Sequence, residues 1–331
     1  MPVFTELARA KINLTLKVLG RRPDGYHELE SLVAFADIGD VVTLDTDTHN
    51  HAPGRDVQRV TVSGPFAEAL IGENLITITL ERLAAACPDL RLGAVHLDKR
   101  LPVAAGIGGG SADAAAVLRA VRRANADLPS AQALPWGKIA AGLGADVPVC
   151  LANETAWMRG IGDCLEAVPG LPPLHIVLVN AREPVPTDKT ARVFRMLGAP
   201  ALAGGPVGRL KVDILGELAT ATNPAETSPN DHHARRSVLA FMRREGNTLE
   251  AATQQIVPGV ADVLGALRVI ADRCPGGNPN SDAPFVPVVA MSGAGPTCFA
   301  VLPSLAAANQ AASLLRQAHP SWWVATTQSN S

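Results

Sequence analysis

The chain has 331 residues, 47% of them hydrophobic and 18% charged, with a formal charge of −2. This composition describes a globular protein long enough for two medium domains. It carries no basic block that would suit nucleic acid and no apolar run long enough for a membrane span.

The N-terminal run MPVFTELARAKINLTLKV has charges inside its apolar pattern, unlike a secretory leader. Cys87, Cys150, Cys164, Cys274 and Cys298 are scattered, with no CxxC pair. That spacing argues against a zinc site or redox dithiol. It suits a reducing cytoplasm, with all five read as buried small hydrophobes. Six lysines stand against 23 arginines, so a lysine in this chain is less readily dismissed as a plain surface charge.

In chain order, Val3 to Ala8 and Ile12 to Leu19 read as short strands. Residues 29–46, LESLVAFADIGDVVTLDT, read as two strands joined by a Gly-Asp turn. Residues 47–56 read as a polar loop, and the alternation from Val57 to Ser63 as another strand. From Asn74 the period changes. Ile76, Leu80, Leu83 and Ala84 mark the apolar face of a helix, and Leu75, Ile78, Thr79 and Arg82 its other side. A strand at 94–99 follows.

Next comes PVAAGIGGGSADAAAVLRAV, residues 102–121. It leads into a helix with apolar residues at Ala114, Val117, Leu118 and Val121. Trp136 to Leu143 reads as a helix ended by Gly144.

A Pro/Gly-rich boundary at 166–173 divides the chain into expected domains 1–165 and 166–331. The second half reads as a strand at 174–180 and helices near 188–197, 210–219, 233–244 and 259–272. A long loop at 274–284 precedes a strand at 286–293. After GAGP come a strand TCFAVL, a helix near 304–317 and a strand at Trp322 to Thr326. This order suggests an α+β domain. Residues 222–233 read as a polar loop whose histidines are solvated.

The glycine stretch at 106–110 fits neither common nucleotide fingerprint. A P-loop needs a lysine that is missing here. The Rossmann pattern needs a third glycine where Ser111 stands, and an acidic residue about 20 positions on. Its physics still points to an anion. Gly106, Gly108, Gly109 and Gly110 permit positive φ and converging N–H groups, and Ser111 reads as the N-cap of a helix whose dipole faces the loop. A flexible loop before an ordinary capped helix is the alternative on these residues alone.

Two further stretches join it: 7-LARAKINLTLKVLGRRPDGYHELESL-32 and 291-MSGAGPTCFAVL-302. In order and spacing the three resemble the motifs of the GHMP small-molecule kinases. The AKIN…DGYH run and 142-GLGADVPVCL-151 are similar to members of that family that act on a cytidine diphosphate-linked methylerythritol. The DGYH run is the most specific signal, separating these from homoserine, mevalonate and galactose kinases.

The resemblance implies a two-domain α+β fold, with an N-terminal domain like ribosomal protein S5 domain 2 and a ferredoxin-like C-terminal domain. It implies ATP, with Mg2+, as the phosphate donor. The nucleotide would lie on Pro102, Val103, Ala104, Ala105, Gly106, Ile107, Gly108, Gly109, Gly110, Ser111 and Ala112, with Asn74 and Lys99 near adenine and ribose. No dedicated protein metal site is expected.

Taken singly, Asp146 reads as a helix-cap carboxylate and Lys11 as a surface charge. The resemblance makes Asp146 the base that takes the substrate hydroxyl's proton, and Lys11 the cation beside it. Asn13 would hold the substrate, and Tyr26, His27 and Phe194 the cytosine ring. Asp113 reads as a first-turn residue favouring the helix dipole, with water-mediated Mg2+ contact as the second possibility. The reaction implied is phosphorylation of the 2-hydroxyl of that cytidine diphosphate-linked substrate in isoprenoid precursor synthesis. The alternatives are another kinase of the family, such as a homoserine kinase, or a non-catalytic nucleotide-binding regulator. The expected protein is cytoplasmic, a monomer or weak homodimer.

Overall fold

The computed structural model describes residues 3–46, 60–70, 74–202, 229–273 and 285–329. It opens with strands β1 (Val3–Asn13), β2 (Lys17–Arg21), β3 (His27–Asp45) and β4 (Val60–Ser63), helix α1 (Leu75–Ala86) and β5 (Ala94–Asp98). Helices α2 (Gly109–Ala124), α3 (Pro129–Gln132), α4 (Trp136–Leu143) and α5 (Val147–Ala152) follow, then strands β6 (Ala156–Gly160), β7 (Cys164–Ala167) and β8 (His175–Asn180). Helices α6 (Lys189–Leu197), α7 (Pro229–Glu245), α8 (Glu250–Ile256) and α9 (Gly259–Arg273) come next. The chain then forms β9 (Val288–Met291), β10 (Cys298–Leu302), α10 (Leu305–Ala318) and β11 (Trp323–Gln328).

Its contacts define two interleaved units. The first holds Met1–Lys11, Ile38–Val103 and Gly108–Asn153. The second holds Ile12–Asp37, Ala104–Ile107 and Glu154–Ser331.

In the first unit, β4 runs parallel to β5 with α1 between them in sequence, and β5 pairs antiparallel with the Val41–Asp45 end of β3. A parallel pair needs such a helical crossover. Helix α2 packs against α1, α4 and α5. Ala114, Val117, Leu118 and Val121 are fully buried, as their spacing predicts, and Ala115, Ala116 and Ala120 are buried with them. Small side chains let three helices approach α2 closely. Burying each of Val117, Leu118 and Val121 contributes about 1.5–3 kcal/mol.

In the second unit, β11, β8, β10 and β9 form an antiparallel sheet in that order. Helices α9 and α10 touch each other and the same strands. The β8-α-β9-β10-α10-β11 sequence with this strand order is the ferredoxin-like arrangement expected. Every residue of β10 is buried, and Val263, Leu264, Leu267, Ala311 and Leu315 fill the core beside it.

Several expectations are corrected. Residues 29–45 belong to one continuous strand rather than two joined at Gly39-Asp40. A Cβ at Gly39 would collide with the backbone of Ala8, so glycine serves close strand approach there. Asp40 spends its carboxylate on the N–H groups of Arg100 and Leu101, at 2.6 and 2.7 Å, not on a turn. Thr79, read on the outer side of α1, is buried and bonds back to Leu75 O at 2.6 Å.

Helices α5 and α8 and the β6–β7 hairpin were not anticipated. Residues 229–233 begin α7 rather than continuing a polar loop. Cys164 is exposed, because β7 is a mostly exposed strand, while Cys87, Cys150 and Cys298 are buried. The expectations for 47–59, 203–228 and 274–284, including the helix at 210–219 and Cys274, lie outside the described residues. Among the described residues no helix is long and apolar enough to cross a membrane.

Candidate active site

In the first unit, Lys11 and Asp146 form an ion pair of 2.7 Å between Nζ and Oδ1. The lysine side chain is 4% exposed and the aspartate 38%. Lys11 is therefore no surface charge. Asp146 sits at the N-cap position of α5 but makes no capping hydrogen bond, so its carboxylate stays turned to the lysine. Pro148, in the first turn of α5, suits a helix start.

Arg119 of α2 fixes both partners' elements. Its guanidinium donates to Glu6 at 2.9 Å, to Leu7 O at 3.1 Å and to Cys150 O at 2.7 Å. One planar fork thus ties the strand of Lys11 to the helix of Asp146. The Cys150 thiol nearby is pushed up to about 12, first by burial and then by the Asp146 charge.

Helix α2 starts one turn earlier than the sequence suggests. Its N-cap is Gly108, left-handed at φ 67°, and Ser111 lies inside the first turn rather than at the cap. Asn125 closes α2 at its other end, its amide donating to Val121 O at 2.8 Å. A Cβ on Gly108 would stand 3.0 Å from Lys11 Cβ and 3.4 Å from its Cε, so the loop backbone lies directly on the lysine. Gly110 is exposed, and Gly109 and Ser111 are half-buried. Four free backbone N–H groups at a helix start, with the positive end of its dipole, make a place for a phosphate. Pro102 and Ala112 are buried, with Leu101 beside them in the core.

Under this helix start lies a buried charge cluster. Lys99 Nζ contacts Asp113 at 2.7 Å and Asp40 at 2.5 Å, and all three side chains are at most 5% exposed. Asp113 is therefore not the first-turn residue serving the helix dipole that was expected; it lies beyond that turn and pairs with Lys99. Burial, opposed by the Lys99 charge and aided by Asp40, raises the Asp113 carboxyl to about 7. Lys99 is itself raised, because the two carboxylates outweigh its desolvation, the largest single influence. Asn74 caps α1, its Oδ1 accepting from Thr77 N at 3.0 Å.

In the second unit, Asn13 is 2% exposed. Its Nδ2 donates to Ser31 Oγ at 2.7 Å and its backbone N–H to Ser292 Oγ at 3.1 Å. Its Oδ1 is buried without a hydrogen-bond partner, an acceptor held open. The glycine turn 293–296 has Gly293 and Gly295 at φ 56° and 62°. It meets the entry of the glycine stretch: Thr297 N donates to Ala105 O at 3.0 Å and Ser292 Oγ to Gly106 O at 3.1 Å. Ala105 and Ile107 are buried, Val103 is exposed, and Ala104 takes φ 55° without being glycine.

Tyr26 follows a tight turn at Gly25, φ 88°, and is 61% exposed. The neighbouring His27 ring lies 4.7 Å from that of Phe194, tilted by 32°. Burial, then Arg21, lowers the His27 pKa and keeps the ring neutral at pH 7. The structure thus brings His27 and Phe194 together, and Lys11 with Asp146 and Gly108. Arg119, Asp40 and Lys189 were not singled out from sequence. Lysine scarcity was the available signal for Lys189, since Lys11, Lys99 and Lys189 are all buried.

Residues 74–154 match the family model described as GHMP kinases N terminal domain. The solved homoserine kinase of Cytophaga hutchinsonii, at 16% identity, shares the fold with a TM-score of 0.59 over 100% of this chain and 95% of that one. Fold and loop thus define a kinase of the GHMP class.

More narrowly, the chain belongs to the 4-diphosphocytidyl-2-C-methyl-D-erythritol kinase family. It is 44% identical to the protein of that name from Rhodopseudomonas palustris (strain HaA2), over 97% of this chain and 96% of that protein. It is likewise 44% identical to the one from Methylobacterium radiotolerans, over 99% of each. A crystal structure of 4-(cytidine 5'-diphospho)-2C-methyl-D-erythritol kinase superposes with a TM-score of 0.66 at 30% identity, over 99% of this chain and 100% of that one.

Proposed function

We propose that the protein transfers the γ-phosphoryl group of ATP to the 2-hydroxyl of 4-diphosphocytidyl-2-C-methyl-D-erythritol, a step in non-mevalonate isoprenoid precursor synthesis. Identity over nearly the whole length to proteins of that name carries this reading. In it, Asp146 accepts the hydroxyl proton and Lys11 neutralises charge developing on the transferred group. The 2.7 Å pair supports these roles.

The backbone from Pro102 to Ala112 would hold the triphosphate, with Asn74 and Lys99 toward the nucleoside. The unpartnered Oδ1 of Asn13 suits a substrate hydroxyl. Tyr26, His27 and Phe194 offer flat faces and an edge for cytosine.

ATP would arrive with Mg2+ on its phosphate oxygens. Among the described residues no cluster of three or more His, Cys, Asp or Glu is placed to hold a metal ion. Asp113 gives one oxygen to Lys99, and its Oδ1 is buried without a hydrogen-bond partner among the described residues. The use of ATP suits a cytoplasmic enzyme.

A coupled ADP-release assay with the cytidine compound, homoserine and mevalonate tests the assignment. Turnover of the cytidine compound alone is expected. Turnover of another alcohol without it would refute the reading.

A further inference from the structure

Three lysines are deeply buried, and two have carboxylate partners: Lys11 with Asp146, and Lys99 with Asp40 and Asp113. Lys189, 5% exposed at the start of α6, has none among the described residues. Its Nζ donates to two backbone carbonyls, Ala104 O at 3.3 Å and Gly295 O. An ammonium has three N–H donors, so one is left over.

The charged groups around it are engaged elsewhere. On α6, Asp188 is bonded to Arg192 and Arg195. On α8, which packs on α6, Glu250 faces Arg268. A buried charge is ordinarily paired, because dehydration is costly without an opposite charge. Burial alone pushes this ammonium down to about 8.

The location of Lys189 says what the missing partner is. Its two acceptors lie at the entry of the glycine stretch and in the glycine turn, segments with positive φ at Ala104, Gly106, Gly293 and Gly295. Such backbone can present N–H groups to an anion, although the Gly295 N–H itself donates to Ser292 O. We propose that Lys189 completes a phosphate subsite, its ammonium contacting a phosphate oxygen of a ligand seated against Ala104–Ile107 and Gly293–Gly295. This rests on the function proposed above, which supplies two phosphate-bearing ligands, ATP and the cytidine diphosphate. The second is favoured by position. Phe194 lies five residues further along α6, about 7.5 Å at 1.5 Å per residue. That is the reach of a ribose between a stacked base and its diphosphate.

The test is a titration of lysines labelled at 13Cε in the wild-type protein, free and saturated with ADP or with CDP. With only six lysines the spectrum is sparse. The lysine titrating lowest in the free protein is expected to move up by at least one pH unit with CDP. If ATP is the source, ADP moves it instead.

In parallel, Lys189→Met should raise the KM of the same ligand at least tenfold with kcat within threefold, and Lys189→Arg should recover most of it. A backbone staple without ligand contact predicts both KM values within twofold of wild type and a titration unmoved by either nucleotide; either result overturns the proposal. The wild-type titration decides if Lys189→Met does not fold. Should the wild-type enzyme ignore the cytidine substrate, the function reading fails, while the ADP arm still tests Lys189.

Discussion

Gly108→Ala should damage both the fold and the reaction, for separable reasons. The added methyl sits on a backbone at φ 67°, where an L-residue costs about 1 kcal/mol. It also stands 3.0 Å from Lys11 Cβ, an atom fixed by strand β1 that cannot rotate aside. Overpacking of this kind costs about 1–3 kcal/mol. The net loss of about 2–3 kcal/mol corresponds to a fall in Tm of about 3–4 °C for a protein of this size.

If the loop displaces Lys11 so that its 2.7 Å contact with Asp146 lengthens by about 1 Å, the Coulomb energy at an effective dielectric of 20 weakens by about 1.7 kcal/mol. The 38% exposure of Asp146 screens part of that, leaving about 1 kcal/mol. On the proposed roles, kcat should fall about fivefold, more if the hydroxyl is misplaced as well. The control is Gly110→Ala. Its methyl would meet only Leu75, at 3.9 Å, and alanine favours the helix by about 0.5–1 kcal/mol. Melting curves and ADP release on both variants check this. Gly108→Ala with wild-type Tm and kcat would refute the packing argument.

Asp146→Asn should abolish turnover while calorimetry still shows ATP binding; near-normal activity would remove Asp146 from the mechanism. Ala104→Gly should stabilise the protein by about 0.5–1 kcal/mol, since relief of the left-handed strain exceeds glycine's added chain entropy; a lower urea midpoint would contradict this. Asp113 has its folded pKa raised from 3.8 to about 7, so the fold binds more protons than the unfolded chain between those values. Its stabilising contribution is complete below pH 4 and is lost as pH rises to about 7. The Tm difference between wild type and Asp113→Asn should shrink across that window, and a flat difference would show that Asp113 does not titrate there.

Helix α2 was legible because burial there follows local period, whereas the ferredoxin-like order of strands was implied only by the resemblance to known kinases. Val117, Leu118 and Val121 face one way whatever the rest of the chain does. Gly39-Asp40 misled because the pair is an ordinary turn signal locally. Its use is tertiary: Gly39 accepts the backbone of Ala8, and Asp40 binds N–H groups about sixty residues away. Ser111 misled similarly. A serine before an alanine run is a good N-cap, but the left-handed Gly108 had already started the helix. Lys11 and Asp146, far apart in sequence, are brought within 2.7 Å by elements that Arg119 ties together. No spacing rule contains that, and only the resemblance to known kinases placed the two residues side by side.

The rarity of lysine acquires a physical meaning from these sites. Arginine's planar fork suits the role of Arg119, which serves three acceptors at once on different elements. The positions that take lysine and bury it need a compact charge on a slim stem. Lys11 passes under the Gly108 backbone with a methylene in near contact, Lys99 fits beneath Gly109 between two carboxylates, and Lys189 reaches between two glycine-rich segments. A guanidinium in place of Lys11 or Lys99 would push on Gly108 or Gly109, where an added Cβ would already stand 3.0 or 3.2 Å from the lysine. Lys11 and Lys99 have their counter-charges built into the protein. Lys189 has none among the described residues, and a phosphate ligand is the group in the proposed reaction that has the charge and size to supply one.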